Sequence, residues 1–458
     1  MTTLKSSASF RDPNGFVFTR GNILYRQINR SYAADYDKLI SSGLYEKLVN
    51  ADLLIAHSET DAAPHTPENA YKIIQPERVP FVSYPYEWPF GLLKSAALAT
   101  LSIQKRALKD GMSLKDASAY NIQMLGGKAT LIDTLSFETY KEKPWVAYRQ
   151  FCQHFLAPLA LMARCDIRLG QLLKIYIDGI PLDLASRLLP WHARLNGGLL
   201  IHIHLHASAQ QRYADKTLNT SRTRAKMSKT ALIGLIESLQ KTVKGLVWQP
   251  AGTEWGNYYE ITNYTDTAFE QKQNIIEGWL EKISPNLVWD LGANDGSFSR
   301  IASQKGINTV AFDIDPAAVE KNYQRVKANK EKNLTPLLLD LTNPSPAIGW
   351  HNQERSTIFE RGSADMVFAL ALIHHLAISN NVPLPMLAVF FAQAGQWLVI
   401  EFVPKSDSQA KKLLQSRPDI FPEYSTQGFE TAFTEFFEVA EKIKIQQSER
   451  YLYLMKRR

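Results

Sequence analysis

Cysteine is nearly absent. The 458 residues hold two, Cys152 and Cys165, in unrelated surroundings, so neither a disulfide framework nor a cysteine zinc site is available. Long apolar runs are missing as well: nothing approaches the roughly 18 apolar residues of a membrane span, and residues 1–10 lack the apolar core of a secretion signal. A cytoplasmic location is therefore the expectation. The formal net charge is only +7, which permits an anionic partner without requiring one, and nucleic acid is not indicated. No internal repeat occurs, and the one biased stretch is the polar, basic run Lys216 to Lys229. What remains is ordinary globular composition, 45% hydrophobic and 21% charged, in a chain longer than a single core usually supports. Two domains are expected, joined by a linker and helical connection over 216–260.

The most informative stretch is Val288-Trp-Asp-Leu-Gly-Ala-Asn-Asp-Gly-Ser-Phe-Ser-Arg300, in which an apolar run ends in an acid and passes through two glycines into a helix-like segment. That pattern is a strand, a tight turn and a helix start. Gly292 and Gly296 allow the backbone to turn and approach a bound molecule closely. A dinucleotide fingerprint has its middle glycine where this chain has Asn294, followed by Asp295. Asp290 and Asp295 repel phosphate and suit a cation, such as an ammonium or a sulfonium. Further short apolar runs follow at Thr309–Asp315, Thr335–Asp340, Asp365–Ala371 and Trp397–Glu401, each read as a strand buried on both faces.

These residues resemble motif I and the following strands of the class I S-adenosylmethionine (SAM)-dependent methyltransferases, over about 260–458. The resemblance implies a Rossmann-like α/β domain on a mainly parallel seven-stranded sheet, with SAM as cofactor. It places Asp290, Gly292, Asn294 and Gly296 under the methionine portion, Asp313 on the ribose hydroxyls and Asp340 at the adenine amino group. Tyr264 and Lys272, from the segment before the first strand, are implied near SAM. The fourth strand leads into Leu370-Ala-Leu-Ile-His-His-Leu376 and lacks the Asn/Asp-Pro-Pro-aromatic motif of amino-directed nucleic-acid methyltransferases. Neither cysteine lies in this half, so the cysteine-dependent route to pyrimidine carbon is unsupported. A hydroxyl, a carboxyl, another small-molecule group or a glycan is the favoured acceptor, with protein and RNA substrates left open. His375 and His374 follow the strand end where ligands bind, and either can act as an acceptor-side base, with Glu401 as a further candidate. Packing or helix capping is the alternative for both histidines.

The N-terminal half opens with apolar alternation around Gly21-Asn22, a β-hairpin over 16–28. Helical spacing runs from 33 to 50, strands are expected at 53–56 and 79–84, and a long helix at 91–109. Downstream, Asp116 precedes Asn121 by five residues, and Asp133 ends a short strand. This order resembles the catalytic loop and metal-binding acid of protein kinase-like phosphotransferases, the subfamily of aminoglycoside and choline kinases. There the first acid orients or deprotonates the acceptor, while the asparagine and second acid hold magnesium on ATP. By that resemblance Asp116 is catalytic, and Asn121 with Asp133 binds Mg-ATP, if the domain is active. Leu114 stands where the family has histidine, no glycine-rich loop precedes the hairpin, and Arg26 replaces the strand lysine, so a degenerate α+β kinase-like domain over 1–215 is the expectation. It would regulate or bind substrate. A bifunctional kinase-methyltransferase acting on a glycan or glycolipid, and a non-catalytic SAM-binding scaffold, are the contrasting possibilities. In Ile201-His-Ile-His-Leu-His206 a strand would align three imidazoles, but the flanks favour a helix, and interior packing is preferred over zinc.

Overall fold

In the computed structural model, which describes residues 3–209, 226–252, 266–415 and 418–458, the chain divides into two compact units. The first comprises Met1–Gln249 with Ala347–Arg355; the second comprises Pro250–Pro346 with Ser356–Arg458.

The first unit begins with strands β1 (Thr3–Lys5), β2 (Gly15–Arg20) and β3 (Ile23–Asn29), followed by β4 (His57–Thr60) and β5 (Ala70–Pro76). They form an antiparallel sheet in the order β1-β2-β3-β5-β4. The hairpin turns at Gly21, whose φ of +60° suits a residue without a Cβ. The helix expected over 33–50 is two, Ala33–Ser41 and Leu44–Val49, because the chain breaks at Gly43 with φ +69°. The strand expected at 53–56 makes an isolated bridge, Leu54 to Leu131. That expected at 79–84 is irregular instead: Pro80 has no N–H for a ladder, and Gln123 clamps Ser83 through both backbone groups, accepting from its N at 2.8 Å and donating to its O at 2.9 Å. Helix Phe90–Lys109 matches its expected place. Beyond it come β6 (Met112–Leu114), β7 (Ile122–Leu125), β8 (Lys128–Leu131) and β9 (Phe137–Thr139), pairing as β6-β9 and β7-β8.

Helix Lys229–Gly245, capped by Ser228 accepting from Ala231 N, belongs to this first unit and buries Leu232, Ile236 and Leu239. Residues 216–225 and 253–260 of the expected linker lie outside the described residues. The segment Ala347–Arg355 is held in the same unit by the Arg11–Glu354 ion pair, with Arg355 lying 4.2 Å from the Tyr120 ring centroid.

The second unit carries β10 (Leu287–Leu291), β11 (Asn308–Asp313), β12 (Leu334–Leu338), β13 (Ala364–Ala369), β14 (Gly395–Phe402), β15 (Phe437–Lys444) and β16 (Tyr451–Arg457). Their order is β12-β11-β10-β13-β14-β16-β15, with β10 to β14 parallel and β16 antiparallel to both neighbours. This is a Rossmann-like, mainly parallel seven-stranded sheet. Its order reverses at β10, which has β11 on one side and β13 on the other, so the crevice beyond the carboxyl ends of these strands is where ligands bind in such sheets. Helix Asp266–Ile283 covers one face, with Ile276, Trp279 and Leu280 in a core with Val288, Phe368 and Leu454. No helix among the described residues is long and apolar enough to cross a membrane.

Candidate functional site

A cavity of about 390 Å³ opens at that crevice, within the size range of small-ligand sites. Asp290, Gly292, Ala293 and Asn294 form one wall, Asp313 and Ile314 the next, and Leu339 to Thr342 a third. Phe298, Leu370 to Leu372, His375, Leu376, Ser379, Asn380, Leu413 and Lys272 complete the lining.

The walls follow from local chemistry. Gly292 adopts φ +78°, and Gly292 N and Ala293 N both donate to Phe312 O at 2.9 Å, stitching the first turn to β11. Asn294 takes φ +49° and donates its N–H to Asp313 Oδ2 at 2.7 Å, while Asp315 N donates to the other oxygen at 2.9 Å. Burial dominates all the same and pushes the Asp313 carboxyl up to about 6. Asp290 is 2% exposed and accepts from Ser299 Oγ at 2.6 Å; burial raises it to about 7. Two buried carboxyls with raised pKa values in one cavity are poised for a ligand bringing positive charge or hydrogen-bond donors. Asp340 lines the third wall and is held by Thr342, accepting from its N at 2.8 Å and its hydroxyl at 2.6 Å. Gly296, also at φ +78°, lies outside the lining. Its missing Cβ leaves room for the Asn322 side chain of helix Pro316–Asn329, so its smallness serves packing.

The histidines separate. His375 borders the cavity, and burial first, then Arg450, lowers it to about 4, so it is neutral at physiological pH. His374 is 1% exposed and outside the lining; burial holds it well below the ordinary range, and its Nδ1 has no hydrogen-bond partner among the described residues. Glu401 is fully buried. It accepts from Lys272 Nζ at 2.5 Å, from Ala371 N at 3.0 Å and from Arg450 Nη1 at 3.2 Å, and Arg450 also pairs with Asp407 at 2.8 and 3.0 Å. So engaged, it has no approach to a substrate proton. Ala371 sits at φ +48°, a conformation that costs a non-glycine residue energy and that its bond to Glu401 helps to hold. Lys272 does line the cavity; Tyr264 lies outside the described residues.

Sequence reasoning missed Ile314, Leu341, Leu372, Ser379 and Asn380. Ile314 is 56% exposed between two acids at a strand end, and an apolar residue in that position was the available signal. It brings apolar surface to the cavity.

In the first unit, Asp116, Asn121 and Asp133 are brought together and are internally engaged. The Asp116 carboxyl lies within hydrogen-bonding influence of Asn121 and Ser118, and burial raises its pKa. Asn121 Nδ2 reaches Ser136 Oγ at 3.4 Å, Ser136 Oγ donates to Asp133 at 2.7 Å, and Asp133 forms an ion pair with Arg26 at 2.6 Å. No cluster of three or more histidine, cysteine or acidic side chains suited to a metal occurs among the described residues. His202, His204 and His206 lie on one helical segment: His202 bonds Tyr148 at 2.8 Å and Ser238 at 2.9 Å, His204 bonds Ser186, and His206 stacks on Tyr148 at 4.8 Å. They are packing residues.

No family model matches the chain. The nodulation protein NoeA of Rhizobium meliloti (strain 1021) is 34% identical over 459 residues, covering 98% of this chain and 96% of that protein. Among solved structures, the magnesium protoporphyrin IX methyltransferase ChlM of Synechocystis PCC 6803, with bound SAH, is 17% identical at a TM-score of 0.33, covering 44% of this chain and 93% of its own. The N-methyltransferase NodS of Bradyrhizobium japonicum WM9 is 13% identical at a TM-score of 0.32, covering 42% and 97%.

Proposed function

The chain belongs to the family of the nodulation protein NoeA, and from that starting point we propose that it is a SAM-dependent methyltransferase. The observation that carries this reading is the cavity at the reversal of strand order, where Asp290, Asp313 and Asp340 stand at the ends of three adjacent parallel strands. The residues fit the cofactor. Asp313 would offer two acceptor oxygens to a vicinal diol, Ile314 and Leu341 would supply apolar contact to an aromatic ring, and buried Asp290 would serve an ammonium. Bound there, SAM supplies an electrophilic methyl group. The chain's own work is to align the acceptor, exclude water and take up a proton, and His375 is the residue assigned to the last task.

Replacing Asp313 by alanine should weaken SAM binding by about 1.5–3 kcal/mol, the scale of hydrogen bonds to a charged group. Calorimetry measures it, and unchanged affinity removes Asp313 from the site. The pH dependence has a definite sign. A diol needs the ionised carboxylate, and this one is protonated below about pH 6 in the free protein. Affinity should therefore fall as pH drops through 6, by up to about tenfold per unit, and Asp313→Asn should flatten the slope.

For the first unit we propose a degenerate kinase-like domain with a regulatory or substrate-binding role in a cytoplasmic protein. Support comes from Arg26, which occupies Asp133 where a magnesium would need it. Mg-ATP should accordingly give no thermal stabilisation at micromolar concentrations. A shift that disappears in Asp133→Ala would restore the bifunctional reading. NoeA's name ties that protein to nodulation, and the acceptor of this chain, a small molecule or glycan, is proposed to belong to the same process.

A further inference from the structure

We propose that the methyl acceptor is an uncharged hydroxyl group of the polyol or neutral-sugar class, and that Ser379 and Asn380 select it. This deepens the methyltransferase reading and rests on it.

The carboxyl ends of β10, β11 and β12 supply the cofactor walls, so the acceptor must enter over the end of β13. That side is lined by Leu372, His375, Leu376, Ser379, Asn380 and Leu413. Two features set its chemistry. One is the absence of a usable charge: among the described lining residues Lys272 is the one cationic side chain, and it is 1% exposed and paired with Glu401. An acceptor carboxylate or phosphate would find no counter-charge there and would be desolvated beside Asp290, Asp313 and Asp340. Among the described lining residues no carboxylate stands on the β13 side, and Glu401 behind Ala371 is committed to Lys272 and Arg450, so an ammonium or amine acceptor lacks the counter-charge that would hold it.

The other feature is a set of neutral polar groups. His375–Ser379 is a π-helical turn, an irregularity found often at functional sites. His375, Ser379 and, directly after the turn, Asn380 all line the cavity, bringing a neutral imidazole, a hydroxyl and a carboxamide to that wall. Neither Ser379 nor Asn380 has a side-chain hydrogen-bond partner among the described residues. A hydroxyl and an amide each donate and accept, which matches neighbouring hydroxyls on a polyol, while Leu372, Leu376 and Leu413 fit its C–H faces.

The step balances without another reagent. The acceptor oxygen bonds to the methyl carbon as the carbon–sulfur bond breaks, its electron pair stays on sulfur to give a neutral thioether, and the hydroxyl proton passes to His375. A weakly basic imidazole suffices, because the proton becomes strongly acidic as the oxygen is alkylated.

The test incubates the full chain with methyl-labelled SAM and total cell extract, then hydrolyses the labelled material in acid and separates the monomers by charge. Methyl ethers survive this treatment and methyl esters release methanol. Label on a neutral, methylated monomer is expected. Label on amines, amino acids or bases, or its loss as methanol, overturns this proposal while leaving the methyltransferase reading intact; no label in any pool, with SAM binding demonstrated by calorimetry, overturns both. With the acceptor in hand, Ser379→Ala with Asn380→Ala should raise its KM by roughly 5- to 100-fold, the loss of two neutral hydrogen bonds, with kcat and SAM affinity nearly unchanged. An unaltered KM removes the two residues from the acceptor site.

Discussion

Replacing His375 by alanine should lower turnover by roughly 10²–10⁴-fold, the usual contribution of a positioned general base, with SAM affinity almost unaltered. The residue borders the cavity at the end of β13 and is neutral because burial lowers it to about 4. The acid limb of the turnover profile should therefore lie below about pH 5 rather than near the ordinary histidine value of about 6.5. A folded His375→Ala protein with near-normal turnover would exclude the base role and leave alignment alone as the source of rate. The melting temperature has to be measured on the same sample, since an unfolded variant is inactive for another reason.

Glu401→Ala should destabilise the protein by about 3–5 kcal/mol, the cost of breaking a buried ion pair by removing one partner. Lys272 and Arg450, each 1% exposed, would lose the carboxylate between them, and only Arg450 retains Asp407. Lys272 is already pushed below its ordinary range by burial, so it would shed its proton or admit water. Adding Lys272→Met should recover part of the loss, because the buried ammonium that Glu401 offset goes with it. Urea unfolding of the wild type, both single variants and the double variant measures this, and a double variant whose loss equals the sum of the two would show that the pair is uncoupled. Glu401 also holds Ala371 N in the cavity wall, so the fall in stability should come with weaker SAM binding.

Stability should also fall in acid. His57, His154, His202 and His375 are each lowered to about 4 by burial. Between that value and the unfolded value near 6.5 the unfolded chain binds more protons, so this stabilisation is complete above pH 6.5 and is lost as pH drops towards 4. Asp290 and Asp313 act with the opposite sign, since their folded values lie above the unfolded one.

By itself the sequence determined the parallel strands and the first turn of the second unit. Short continuous apolar runs ending in Asp290, Asp313 and Asp340, and the turn through Gly292, are patterns written in neighbouring residues, and strands, turns and helix starts depend on neighbours. The tertiary structure alone decided what closes around them. Lys272 meets Glu401 across 129 residues of chain, Arg26 reaches Asp133, Asn322 takes the space beside Gly296, and Ala347–Arg355 joins the first unit although it lies between two strands of the second. The same holds for His374 and His375, adjacent in sequence yet divided into a core residue and a cavity residue. Burial and charge pairing depend on which distant segments share a space, and no local spacing encodes that.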